Sequence, residues 1–328
     1  MGKDRLHYID IAKGILILLV VVFHTSWQAD VTGVTNPIFQ QIGKFGFLAS
    51  PFYMSAFFAI TGYCANFDKP YIQFLLADIK TLLLPSVSLC LVAACIRYAM
   101  MGEWDFSWVA PRYLIRFLSL HWFLPALFWA KQLHFWFRKF KLNSLFLFLI
   151  YLLFAVLGLY IVGHFKVYWW FAHGLMFVIY IHFGSLIKDR PILSKFIYFL
   201  LYLCYVLIMR FIFGSVPWIA SETHLRVWQM PLFVLSSGLG TLSILWVSQK
   251  IERNGFLEWL GRNSLVIYCL HFTLMNDFYR LFIASLNTLN TFQSIYALLL
   301  MYAMIIGICG MASWVLNLKY FKWILGKF

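Results

Sequence analysis

Residues 5 to 25 read "RLHYIDIAKGILILLVVVFHT", an apolar run that carries Asp10 and Lys13 near one end and His24 near the other. An ionisable side chain at membrane depth costs at least about 2.5 kcal/mol, so each of these groups requires a reason. At about 100° per residue, Asp10, Lys13, His24 and Gln28 fall within an arc of roughly 60° and share one helix face. Lys13 and His24 lie about 16.5 Å apart along that face, which makes them two stations on one path. A lysine at a membrane mouth suits an anion such as phosphate. A histidine, with an unperturbed pKa near 6.5, suits proton abstraction from a weak nucleophile, or covalent catalysis as a group carrier. Asp10, at i,i+3 from Lys13, tempers its charge. The competing reading is that Lys13 snorkels to the interface and His24 hydrogen-bonds a neighbouring helix.

A second polar stripe comes from Ser264, Tyr268 and His271, which also lie within about 60° of one another on a helix. It is a candidate wall of the same cavity, with Asn263 and Ser264 alternatively serving as a helix cap. Trp122 in "HWFLPALFWA" could stack on a sugar or anchor the chain at the interface. Arg112 and Arg116, with Glu222, His224 and Arg226, could grip a polar acceptor on the outer side. His164, His173 and His182 recur every nine residues, or about 2.5 turns, so successive ones face opposite ways and no metal site is expected.

The elements that must hold these groups follow from composition. The chain has 328 residues, 63% of them hydrophobic and 12% charged, with a mean hydropathy of +0.81. A soluble domain could not cover that much apolar surface, which predicts an all-α polytopic membrane protein. Apolar windows at about 9–28, 47–66, 83–101, 114–132, 144–162, 167–187, 196–213, 230–248, 263–285 and 294–317 predict about ten transmembrane helices. Of the 26 lysines and arginines, 18 fall on the side that holds the N-terminus, which predicts both termini in the cytoplasm. The net charge of +14 is scattered among short loops and forms no patch for nucleic acid. No loop is long enough for a second domain, so residues 1–328 read as a single integral-membrane unit. The first apolar run ends in "SWQAD" without a small-residue cleavage site and reads as a retained helix. All six cysteines lie in apolar runs without a C-x-x-C pair, and are expected to be thiols.

Five stretches in order, "IDIAKGILILLVVVFH", "SPFYMSAFFAITGY", "DIKTLLLPS", "HWFLPALFWA" and "LEWLGRNSLVIYCLH", resemble the acyltransferase-3 family of integral-membrane acyltransferases. The opening stretch matches that family's basic residue, ten intervening residues and histidine. The resemblance implies transfer of an acyl group, usually acetyl from cytoplasmic acetyl-CoA as a substrate and not a bound cofactor, to a hydroxyl of a cell-envelope glycan or lipid-linked sugar. It gives His24 the catalytic role and Lys13 that of its basic partner. Lys80 stands in the loop where many members carry an Arg-x-Arg pair, flanked here by Ile79 and Thr81, with Asp78 two residues before it. The lack of an appended extracytoplasmic domain resembles the stand-alone members that modify capsule, O-antigen or enterobacterial-common-antigen-type sugars, in the bacterial cytoplasmic membrane. Two other functions compete: a transporter or flippase for a lipid-linked glycan, and a haem protein using His24 and His271.

Overall fold

The structure, a computed structural model, describes residues 6–42, 46, 48–103, 122–165, 170–188, 195–212, 214 and 225–327, and is helical with no strand among them. The helices are α1 (His7–Thr32), α2 (Pro37–Ile42), α3 (Tyr53–Cys64), α4 (Tyr71–Asp78), α5 (Leu84–Met101), α6 (Phe123–Arg138), α7 (Ser144–His164), α8 (Phe171–Ile187), α9 (Ile197–Ile212), α10 (Met230–Lys250), α11 (Gly255–Arg262), α12 (Ser264–Thr288) and α13 (Thr291–Leu316). A π-helical turn, Ile79–Leu83, joins α4 to α5. Each of the ten apolar windows overlaps a helix, with α2, α4 and α11 as short additions between them; residues 114–121 of the 114–132 window lie outside the described residues.

Among the described residues, five helical segments are long and apolar enough to cross a membrane: His7–Thr32, Tyr71–Met101, Ser144–His164, Val227–Lys250 and Thr291–Leu316. The others differ for stated reasons. Helix α3 has 12 residues, about 18 Å against a hydrocarbon core of about 30 Å. Most of its side chains are buried, so it is enclosed by protein, where a short span is tolerated. Helix α12 is long enough but carries His271, Asn276, Asp277 and Arg280, which lower its hydropathy.

Burial identifies the central helix. The apolar window of α1 is 56% buried, whereas those of α7 and α13 are 28% and 22% buried and face outward. The helix bearing His24 is therefore enclosed by α3, α10, α11 and α12, and its polar face meets protein instead of lipid. It stops at Gly33, whose φ of 82° gives the left-handed cap that returns Val34 N–H to the Ala29 carbonyl.

Two close backbone approaches set this packing. A Cβ at Gly14 would lie 2.1 Å from the Leu257 carbonyl oxygen, and one at Gly261 would lie 1.9 Å from that of Asp10, so α1 and α11 touch through bare backbone. Helices α3 and α8 do the same through Gly62 and Gly184. The chain ends also share one end of the bundle. Asp10 lies on Gly261, Asn263 accepts from Ser313, Lys327 Nζ donates to Asn317, and Gly326 packs on the Lys80 carbonyl. All six cysteines are thiols.

Candidate active site

His24 and His271 meet across α1 and α12. Their ring centroids are 5.1 Å apart, and His271 Nε2 lies 3.4 Å from His24 Nδ1. Both rings are tethered to their own helices. His24 Nδ1–H donates to the Val20 carbonyl at 2.8 Å, and His271 Nδ1–H donates to the carbonyls of Ile267 and Tyr268, each at 2.9 Å. A carbonyl only accepts, so Nδ1 carries the proton on both rings and each Nε2 holds a lone pair. The His271 lone pair faces the shared proton of His24, leaving His24 Nε2 as the nitrogen able to take a proton. The imidazolium so formed keeps both acceptors for its other N–H.

Aromatic rings surround His24: Phe23 at 5.5 Å, Phe272 at 5.7 Å and Trp27 at 6.3 Å, all edge-on. Trp27 and Phe272 pack on each other at 5.0 Å, and Trp27 is 49% exposed, so one wall of the site opens outward. These rings were missed in the sequence reading. Trp27 could have been found one turn beyond His24, but an aromatic in so aromatic a chain carries little signal by itself.

Tyr268 stands one turn before His271 and accepts the Phe123 N–H at 3.4 Å, with the two rings 5.5 Å apart. Trp122, the residue before α6, joins this group through Phe123 and packs on His173 at 5.4 Å and Phe177 at 5.7 Å. Ser264 lies on the same stripe of α12, half-buried and about 10.5 Å along the helix from His271. Asn263 does not cap α12 with its side chain. It donates instead to the Trp259 carbonyl at 2.8 Å and accepts from Ser313, because α11 and α13 offer it closer partners.

Lys13 is half-buried one turn after buried Asp10, and the charges of Lys13, Asp10 and Lys188 all reach the Cys64 thiol on α3. Lys80 sits exposed on the π turn, while Asp78 turns inward to an ion pair with Lys131 and accepts from Gln132 at 2.8 Å. In the sequence Asp78 is only a neighbour of Lys80; packing makes it the partner of Lys131. Arg112, Arg116, Glu222 and His224 lie outside the described residues. His164 is on a different helix from His173 and His182. His173 lies beside Trp170 and Trp122, and His182 beside His134 and Tyr151. Among the described residues, no three metal-ligating side chains gather. The pair as arranged does not present two lone pairs to one haem iron, since His24 faces His271 with Nδ1, whose proton is bonded to the Val20 carbonyl.

A family model for an acyltransferase domain, that of acyltransferase-3, matches residues 6–314. The chain belongs to the acyltransferase-3 family. It is an integral-membrane acyltransferase, and the matched span holds Lys13, His24, Lys80, Trp122, Tyr268 and His271. Comparison with curated proteins and with solved structures gave no significant match. In this acyltransferase the α1 and α12 stripes meet at the two histidines, which are 247 residues apart in sequence.

Proposed function

We propose that this acyltransferase moves an acetyl group from cytoplasmic acetyl-CoA to a hydroxyl of a cell-envelope glycan in the bacterial cytoplasmic membrane. His24 acts as the base. The observation that carries the reading is the tether of His24 Nδ1 to the Val20 carbonyl, which turns Nε2 into the proton acceptor.

In the reaction, His24 Nε2 takes the acceptor's hydroxyl proton as its oxygen bonds to the thioester carbonyl carbon. The carbon–sulfur bond then breaks, the acetyl ester forms, and the proton on Nε2 passes to the leaving thiolate to give CoA. His271 positions His24 through the lone pair facing Nδ1. Lys13, about 16.5 Å toward the cytoplasmic end, stands where the donor's phosphates enter. Trp27 and Phe272, on the open wall, offer apolar faces to a sugar.

The test is sidedness. In membrane vesicles of defined orientation with source-cell glycan, labelled acetyl should reach the glycan when acetyl-CoA is supplied on the cytoplasmic face and not on the other. Label transfer independent of side, or CoA release without any labelled glycan, would refute the reading.

A further inference from the structure

A cavity of about 500 Å³ opens at the end of the bundle that carries the inner lysines and arginines, between the C-terminal ends of α3, α6 and α8 and the start of α7. That volume is within the usual range for small-molecule sites. Its inner wall holds two buried histidines from different helices, His134 and His182, at 0% and 4% exposure, with ring centroids 5.5 Å apart. Each has one nitrogen without a protein partner among the described residues: Nε2 of His134 and Nδ1 of His182. Buried polar atoms are rarely left unmatched, so this pair calls for a ligand.

The other nitrogens define what that ligand must offer. His182 Nε2 lies 3.3 Å from the Ser144 carbonyl and 3.4 Å from the Ser144 hydroxyl; when it donates to the carbonyl, Nδ1 of the neutral ring is a bare acceptor. His134 Nδ1 lies 3.0 Å from the Tyr151 hydroxyl; when the hydroxyl donates, Nε2–H becomes a spare donor. The wall thus offers one donor and one acceptor, matching a flat group that presents an acceptor beside a donor. The amino edge of adenine is such a group. Phe67 lines the cavity and supplies an aromatic face. Toward the surface stand two cations, Arg138 and Lys188, with the Ser185 hydroxyl. Arg138 is partly offset by Asp68 at 3.3 Å, and Lys188 donates to the Ala65 carbonyl at 3.0 Å. A neutral inner wall under a cationic mouth fits a nucleotide with its base inward and its phosphates outward.

We propose that this cavity is the nucleotide subsite for the donor, with the adenine edge on His134 and His182 and the phosphates between Arg138 and Lys188. The proposal rests on the acyl-CoA reading above. The spacing agrees with it: Gly62 on the cavity wall is nine residues, about 13.5 Å, along α3 from Tyr53, which packs on Phe23 beside His24. A linear pantetheine arm bridges a gap of that kind between nucleotide and thioester.

The test uses the full-length protein in detergent, with labelled adenosine 3′,5′-bisphosphate as probe and CoA release as a parallel assay. The probe should bind and compete with acetyl-CoA. Its inosine counterpart, which replaces the amino donor with a carbonyl, should bind about tenfold more weakly, as should the probe to Arg138→Gln and Lys188→Gln, both changes at the cavity mouth. His24→Ala should lose turnover and keep probe binding. Equal binding of both nucleotides, unchanged binding in both mouth variants, or inhibition not competitive with acetyl-CoA would overturn the subsite while leaving acyl transfer standing. Binding displaced by anionic lipid vesicles but not by CoA would assign the cavity to a lipid headgroup and overturn it too. Acyl transfer from a donor other than CoA, with no probe binding, would refute the acyl-CoA reading itself.

Discussion

Replacing His24 by alanine separates a catalytic role from a structural one, because the structure sets the two magnitudes far apart. The change removes the bond to the Val20 carbonyl, the contact with His271 and three edge-on ring contacts. The Val20 carbonyl keeps its intrahelical partner, the residue 24 N–H, so no backbone group is orphaned. An intramembrane polar contact averages about 0.6 kcal/mol. Adding an aromatic contribution of about 1 kcal/mol gives a loss of roughly 1 to 2 kcal/mol, within reach of a folded variant. Loss of a positioned general base, by contrast, lowers the rate about 10²- to 10⁴-fold, equivalent to roughly 2.7 to 5.5 kcal/mol in the barrier. The assay is CoA thiol release from equal amounts of folded protein, with the exposed thiols of Cys64, Cys95 and Cys204 subtracted as a stoichiometric background. A variant that keeps more than about a tenth of the wild-type rate refutes His24 as the base.

Lys13→Ala is expected to raise the KM for acetyl-CoA with little change in kcat, as removal of a uniform binding contact does; a change confined to the acceptor's KM would refute its phosphate role. Gly261→Ala should lower thermal stability in detergent by about 1 to 3 kcal/mol, because its Cβ would meet the Asp10 backbone 1.9 Å away and neither backbone can yield; an unchanged melting point would contradict the α1–α11 contact. Asp78→Ala should destabilise by about 3 to 5 kcal/mol by leaving Lys131 unpaired, and Asp78→Leu with Lys131→Met should recover most of it; thermal unfolding of the single and double variants checks both. The Glu258 carboxyl is held below its ordinary range by the hydrogen bond from His7 at 2.9 Å, so its stabilising effect is present above the ordinary carboxylate pKa and is lost as pH falls through the depressed value. Accordingly the stability difference between wild type and Glu258→Gln should be full at neutral pH and vanish in acid, and a difference independent of pH would contradict this.

The elements were legible in the sequence because a membrane leaves few alternatives: every backbone polar group must be satisfied within its own segment, so an apolar run of sufficient length becomes a helix. The same reasoning made the polar face of α1 readable, since Asp10, Lys13, His24 and Gln28 follow from a single helical period. The motif spacing also carried the family, later matched over residues 6–314. Periodicity gives the angle of a side chain about its own helix and nothing about which helix it faces. That His271 meets His24, that Asp78 turns from Lys80 toward Lys131, and that His134 and His182 share one cavity were decided by packing between segments far apart in the chain. The orientation of the His24 ring needed the tertiary structure as well. The Val20 carbonyl four residues earlier was in reach of any helical model, but the bond to it is made only with the ring held between Phe23, Phe272 and His271, and it is that bond which leaves Nε2 to do the chemistry.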